Sequence, residues 1–289
     1  MKASDRMFDE FWDVQKEFFI LPACWDIFSA VMLQSAGVKA VATSSVSVGF
    51  ANGLTAATMI SMEGMLQKVG QIVSAIDIPL SVDLESGYAD TPAGVERNVR
   101  EIIRTGIVAF NLEDSDGIPG AGLRPAEEHA ERIRACRRAA EAEGAPRLFV
   151  NGRTDGFWNH DGESIETKAD EAIRRGNLYL EAGANGVFVS GKLKMPKDVI
   201  ARLVKSIRGP VSILLDSADC SLAELKALGV RRVTLGSLPI RAGAGFLQRG
   251  IKRLVQDLDP SFFQEQAIPT NVINGALVKA ERTAKESLV

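Results

Sequence analysis

The chain alternates short apolar runs with longer amphipathic segments. The apolar runs fall at residues 19–23 (FILPA), 39–43 (KAVAT), 79–82 (PLSV), 107–112 (IVAFNL), 148–151 (LFVN), 186–189 (GVFV), 211–215 (VSILL) and 232–235 (RVTL). Each has the length of a strand buried on both faces. The segments between them carry helix punctuation. Asp26 caps a helix to Ala36 that Gly37 stops, Ser61 opens one to about Ala75, and Thr91-Pro92 opens one to Thr105. Further helices are predicted over 127–143, 164–182, 197–207, 221–228 and 239–258. Strand and helix recur at intervals of roughly 20–40 residues, and right-handed crossovers between parallel strands close such a series into a (β/α)8 TIM barrel. The barrel spans residues 1–258 and a helical tail follows over 259–289. An open doubly wound sheet is the alternative, but no GxGxxG follows the first strand.

Residues 1–19 predict a helix with aromatics at Phe8, Phe11, Trp12, Phe18 and Phe19, either a lid on the barrel's bottom or a surface for a partner. Residues 40–62 carry no charge and could span a bilayer by length, yet they hold eight Ser, Thr or Asn and two glycines. Strand, polar loop and helix start is therefore the reading, and no membrane partner is expected.

Composition supports a single enzyme-sized domain. Of 289 residues 46% are hydrophobic, enough for a full core. A net charge of −3 and the absence of a basic stripe argue against nucleic acid. Three scattered cysteines form neither a disulfide framework nor a zinc pattern, and the acidic N-terminus (Asp5, Asp9, Glu10) is no secretory signal, so a cytoplasmic protein is expected.

The chemistry gathers at strand ends. Asp83 and Glu85 close the third run, Glu113 and Asp114 the fourth, Arg153 and Asp155 the fifth. On a barrel, Asp83, Glu85, Glu113 and Arg153 meet at one mouth. Acids this close repel unless a cation lies among them, and Mg2+, with oxygen ligands and retained waters, suits the set; Mn2+ is its natural substitute. Arg153 can hold a substrate carboxylate bidentately. The plainer alternative is a structural ion pair of Asp83 or Glu113 with Arg153.

The motifs LPACWD (21–26), ATSS (42–45), SVDLESGY (81–88), GIVAFNLED (106–114), VNGRTDGFW (150–158), AGANGVFV (182–189) and GVRRVTLG (229–236), in this order, resemble the isocitrate lyase / phosphoenolpyruvate mutase superfamily. The resemblance implies a phosphoenolpyruvate mutase-type barrel that binds Mg2+. It also implies C–C or P–C bond chemistry on 2-oxo acids through an enolpyruvate-like intermediate. Asp83, Glu85 and Glu113 match the metal-shell acids and Arg153 the substrate-holding arginine. Ser44, Ser45 and Val46 match the turn that grips a carboxylate, and Trp25 a residue flanking the substrate. It implies a homo-oligomer, dimer or tetramer, with a C-terminal helix exchanged between subunits; Ile273, Leu277, Val278 and Ala280 give the tail an apolar side for this.

Departures narrow the reaction. The loop 115–132 lacks the cysteine of isocitrate-cleaving lyases, and Cys24 and Cys136 read as core. Ala56 or Ala57 replaces the loop aspartate of P–C bond enzymes, and Ser115-Asp116 their lysine. His129 and His160 read as solvated residues. The glycines between Gly117 and Leu123 suit a gating loop, and Arg124 at its end could meet an anion. The expected function is a Mg2+-dependent lyase or decarboxylase acting on a small 2-oxo or 2-hydroxy acid. A P–C bond enzyme and a non-catalytic ligand-binding barrel are the alternatives.

Overall fold

A computed structural model describes residues 3–56, 58, 60–115, 122–158 and 162–286. Among them the strands are β1 (Phe19–Leu21), β2 (Ala23–Cys24), β3 (Val41–Thr43), β4 (Leu80–Asp83), β5 (Ala109–Glu113), β6 (Phe149–Phe157), β7 (Gly186–Gly191), β8 (Val211–Leu214) and β9 (Arg232–Thr234). They hydrogen-bond in the order β1-β9-β8-β7-β6-β5-β4-β3-β2, all parallel. β1 and β2 are one strand interrupted at Pro22, which has no N–H to donate. Its carbonyl still accepts from the Ala42 N–H at 2.9 Å, so the ladder continues. Because Pro22 alone separates the two ends of the sheet, the sheet closes. The expected eight-unit barrel is thus present with its first strand broken.

The helices follow their punctuation. They are α1 (Asp5–Val14), α2 (Ile27–Ser35), α3 (Ser45–Ala51), α4 (Met62–Ala75), α5 (Pro92–Arg104), α6 (Ala126–Ala142), α7 (Ile165–Glu181), α8 (Lys197–Ser206), α9 (Leu222–Ala227), α10 (Leu238–Asp257), α11 (Ser261–Gln266) and α12 (Thr270–Glu286). Asp26 accepts from the Ser29 N–H at 2.7 Å in a reciprocal capping box, Ser221 forms another with Glu224, and Ser61, Thr91 and Ser164 each accept one N–H of their helix's first turn. The stretch read as a polar loop after β3 instead starts at once with α3, whose N-cap is Ser44.

α1 is the bottom lid. Phe8 and Phe11 are buried, Phe11 and Trp12 meet the Phe149 ring edge-on at 5.5 and 5.2 Å, and the Trp12 indole donates to the Arg147 carbonyl at 2.8 Å. The C-terminal region departs from expectation. α10, expected as the last barrel helix, keeps only Gly250 buried among its described residues, against the rings of Phe262 and Phe263. Its Leu247, Ile251, Leu254 and Val255 are exposed. α12 turns back to α2 and α4 of its own chain: Lys279 donates to the Ile76 carbonyl at 2.8 Å and Ala280 is buried. Among the described residues no helix is long and apolar enough to cross a membrane.

Candidate active site at the barrel mouth

β4, β5 and β6 are neighbours, and their register places Asp83 beside Asn111 and Glu113 beside Arg153. Alternate residues of a strand share a face, so Asn111 and Glu113 both point into the barrel. The predicted residues Asp83, Glu85, Glu113 and Arg153 are brought together. Arg153 is the hub. Its Nη1 lies 2.7 Å from Glu113 Oε2 and 3.3 Å from Asp83 Oδ1. Its Nε and Nη2 donate to the two Asp155 oxygens at 2.7 and 3.0 Å. Asp155 also accepts from the Ser115 hydroxyl at 2.7 Å. The structural ion pair and the expected site cluster are thus one arrangement: Arg153 is paired to Asp83 and Glu113 of the expected metal-shell acids, and to Asp155 besides.

The other carboxylate contact comes from the α3 start. The Ser45 hydroxyl donates to Asp83 Oδ2 at 2.9 Å, and Thr43 Oγ1 accepts from the Asp83 N–H at 3.0 Å. Ser44 is occupied as the N-cap, accepting from Ser47. Trp25 follows β2 at the mouth, half-buried, its backbone N–H donated to Ser29 Oγ at 3.0 Å.

The turn after β4 is held in an unusual backbone. Glu85 (φ 51) and Tyr88 (φ 55) are left-handed although neither is glycine, a conformation that costs about 1–2 kcal/mol per residue. Gly87 (φ 93) lies between them, where a Cβ would stand 2.9 Å from a Val95 methyl carbon. The turn is pinned from outside. Fully buried Arg132 donates to the carbonyls of Ser86, Ala89 and Asp90 at 3.1, 2.8 and 2.6 Å, Asn98 to those of Gly87 and Tyr88, and the Glu85 carbonyl accepts from the Glu113 N–H.

Electrostatics shows an excess of acid. Burial pushes Glu113 well above the usual carboxylate range; Arg153 opposes this, while Asp155, Glu85 and Asp83 add to it. Burial and then Asp83 raise Glu85. Burial raises Asp155 against the pull of Arg153. The Tyr88 hydroxyl is buried without a hydrogen-bond partner, and burial and the fields of Glu85, Asp83 and Glu113 raise it too. Glu113 is 1% exposed, so little water screens this cluster.

One expectation is corrected here, and the cap at Asp26 and the core placing of Cys24 and Cys136 hold. His129 is not solvated: it is fully buried on α6, edge-on to Tyr179 at 4.6 Å. The neighbouring α7 covers the face that looked charged in sequence. Asp26 serves as a helix cap. Cys24 donates to the Ala42 carbonyl at 3.1 Å and burial pushes it up to about 12, as burial does for Cys136, so both are core thiols. Arg124 lies close to Glu128 (3.4 Å), and its backbone N–H donates to the Asp114 carbonyl. Asp116, His160 and most of the Gly117–Leu123 loop lie outside the described residues.

Sequence reasoning missed two sets of residues. One is the second layer of the barrel interior, Asn111, Asn151 and Arg232, whose signal was polar residues at inward positions of apolar strands. The other is the Arg175–Tyr179 pair on α7 that holds Asp114, one turn apart at i and i+4.

A closed parallel barrel with acids at the carboxyl ends of its strands defines a (β/α)8 enzyme scaffold. The profile of the phosphoenolpyruvate phosphomutase family matches residues 9–255, and the chain belongs to this phosphoenolpyruvate mutase / isocitrate lyase superfamily, whose members are C–C lyases, hydrolases and mutases. An uncharacterized protein of Mycobacterium tuberculosis is 31% identical over 225 residues, 78% of this chain and 80% of that protein. A 2-methylisocitrate lyase of Bacillus subtilis is 28% identical over 58% of this chain and 54% of its own length. Among solved structures, a putative lyase/mutase of Burkholderia cenocepacia superposes with a TM-score of 0.83 at 30% identity, over 94% of this chain and 96% of that one. A phosphonopyruvate hydrolase in complex with oxalate and Mg++ shares the fold, with a TM-score of 0.80 at 22% identity over 99% of each chain.

Proposed function

We propose that the protein is a Mg2+-dependent lyase or decarboxylase that breaks a C–C bond of a small 2-oxo or 2-hydroxy carboxylic acid. The observation that supports this most is the excess of buried acid around Arg153. Asp83, Glu85, Glu113 and Asp155, ionised, face Arg153 and the deeper Arg232, which leaves two negative charges in the barrel mouth, the charge of one divalent cation. All donors are carboxylate oxygens, which suits Mg2+ over softer metals. Among the described residues no three acidic, His or Cys side chains are spaced as a direct metal cage, which fits an ion that keeps several of its waters. Asp83, Glu85 and Glu113 would hold it. When bound, such an ion polarises the substrate's 2-oxygen and stabilises the charge that develops there as the bond breaks.

The remaining residues orient the acid. Arg153 holds its carboxylate, the Ser44-Ser45-Val46 turn presents N–H and hydroxyl groups, and Trp25 flanks it. The unpartnered Tyr88 hydroxyl is available to hydrogen-bond the substrate. Cys24 and Cys136 are buried thiols with no part in this, so proton transfer by cysteine is not the reading.

A P–C bond reaction is the second reading. A putative phosphonomutase of Burkholderia cenocepacia, 32% identical over 86% of this chain and 98% of its own, favours it. Against it, Ser115 stands where a lysine would be needed, and its hydroxyl is engaged by Asp155. Calorimetric titration of oxalate with and without Mg2+ tests the site: tight binding only with the metal is expected, and no binding in either condition favours a non-catalytic barrel. Product assays for pyruvate, CO₂ or phosphate then separate the reactions.

The reading includes assembly as a homo-oligomer. Helix α10, with its exposed apolar side, is the segment best suited to cover a neighbouring subunit, and α12, which packs on α2 and α4 of its own chain, would take the same place on the neighbour in an exchanged oligomer. Truncation before α10 should lower the number of subunits per particle in analytical ultracentrifugation; an unchanged subunit number refutes the exchange.

A further inference from the structure

Beneath the acid layer the barrel interior holds a second guanidinium. Arg232 opens β9, is 1% exposed, and pairs in register with Phe19 and Ser212. Its Nη2 donates to Asn111 Oδ1 at 2.9 Å, and Asn111 is also 3.0 Å from the Asn151 amide. The guanidinium carbon lies 5.6 Å from the centre of the Phe188 ring, the same ring that carries Arg153 at 5.5 Å. The two cations nevertheless stand in opposite circumstances. Arg153 has three carboxylates within ion-pair distance; among the described residues Arg232 has none, and its buried Nε has no partner.

A buried guanidinium without a carboxylate is costly, and an amide oxygen does not neutralise it. An apolar side chain of similar volume would fill the same space without that cost. The position therefore uses the charge. Asp83 is the acid whose field reaches it. A fixed positive charge below the acids opposes a divalent cation and favours a carboxylate bound above.

We propose that Arg232 is a positioning residue whose charge sets the balance between the two ligands of the mouth: it loosens the grip on the divalent cation and tightens the hold on the substrate's carboxylate. This rests on the metal-and-acid reading of the site given above. Without Arg232, the surplus acid would hold the cation firmly and repel an anionic substrate.

The test titrates Mn2+, and then oxalate at saturating Mn2+, into the intact wild type, Arg232→Gln and Arg232→Lys by calorimetry. Gln keeps a donor for Asn111 and drops the charge; Lys keeps the charge. The expected result for Gln is Mn2+ binding about tenfold tighter and oxalate binding about tenfold weaker, with Lys within about threefold of wild type for both. Loss of both affinities in Gln assigns Arg232 to packing and overturns the proposal, as does no change in either. Thermal melting shows whether Gln folds; if it does not, Lys decides, and loss of either affinity there overturns the proposal. A wild type that binds no Mn2+ overturns the metal reading and this inference together. One that binds Mn2+ while a folded Gln variant is unchanged overturns this inference alone.

Discussion

Glu113 and Asp114 are consecutive, both fully withdrawn from water, and their surroundings are opposite. Glu113 faces the barrel interior, where one guanidinium is shared with Asp83 and Asp155 and the acids push each other's protons on. Asp114 faces the α6–α7 side and is satisfied on every side. It accepts from the Tyr179 hydroxyl at 2.7 Å, Arg175 Nη1 at 3.2 Å and the Asp155 N–H at 2.9 Å. Arg175 in turn holds the Arg124 carbonyl at 2.8 Å, and Arg124 closes back on Asp114 through its N–H. The first cluster is short of cations and fits a ligand; the second is complete and fits a frame. Buried charge alone does not mark a site, whereas incompletely compensated buried charge does.

The largest effect expected is on turnover. Asp83→Asn and Glu113→Gln should each lower metal-dependent turnover by about a hundredfold or more while leaving the circular dichroism spectrum unchanged. Asp114→Asn should keep Mn2+ binding. Wild-type-like turnover in both site variants would remove the functional half of the comparison.

Stability should sort the two acids with opposite signs. Asp114→Asn removes the charge that Arg175 and Tyr179 are built around, and should cost about 1–3 kcal/mol in denaturant unfolding. Tyr179→Phe removes one hydrogen bond and should cost about 1 kcal/mol. In metal-free protein Glu113→Gln should be neutral or stabilising, because Arg153 keeps Asp83 and Asp155 while the acids lose a repelling neighbour. A Glu113→Gln variant that melts well below the wild type without metal would show that the mouth cluster is structural too.

The comparison also separates what the sequence displays from what it hides. Strand positions, helix caps and the convergence of Asp83, Glu85, Glu113 and Arg153 follow from apolar runs of strand length and charges at their ends, which are local signals. Arg232, Asn111 and Asn151 sit at inward positions of apolar strands, and only closure of the barrel shows that inward means shared. The fate of His129 required knowing that α7 lies over that side of α6. α10 reads as a barrel helix because it follows the last strand as each earlier helix follows its own, and it carries an apolar stripe that asks for a partner. The stripe does not say whether the partner is its own barrel.

His129, beside the complete cluster against Tyr179, gives an effect that only a pH series reveals. Burial, reinforced by the neighbouring Arg132, pushes its pKa from 6.5 down to about 3, so the folded protein holds it neutral where the unfolded chain protonates it. Its contribution to stability is full above 6.5 and is lost as pH falls toward about 3, by at most about 1.4 kcal/mol per pH unit. The raised acids of the mouth act in the opposite direction, since acids protonated more readily in the folded state favour folding as pH falls. The two contributions separate by difference. The melting temperature of His129→Gln relative to wild type should rise as pH goes from about 7 to about 4, with the mouth unchanged in both proteins. A difference that stays flat over this range would mean that His129 is protonated in the folded state, and that the frame opens far enough to hydrate an imidazolium beside Tyr179.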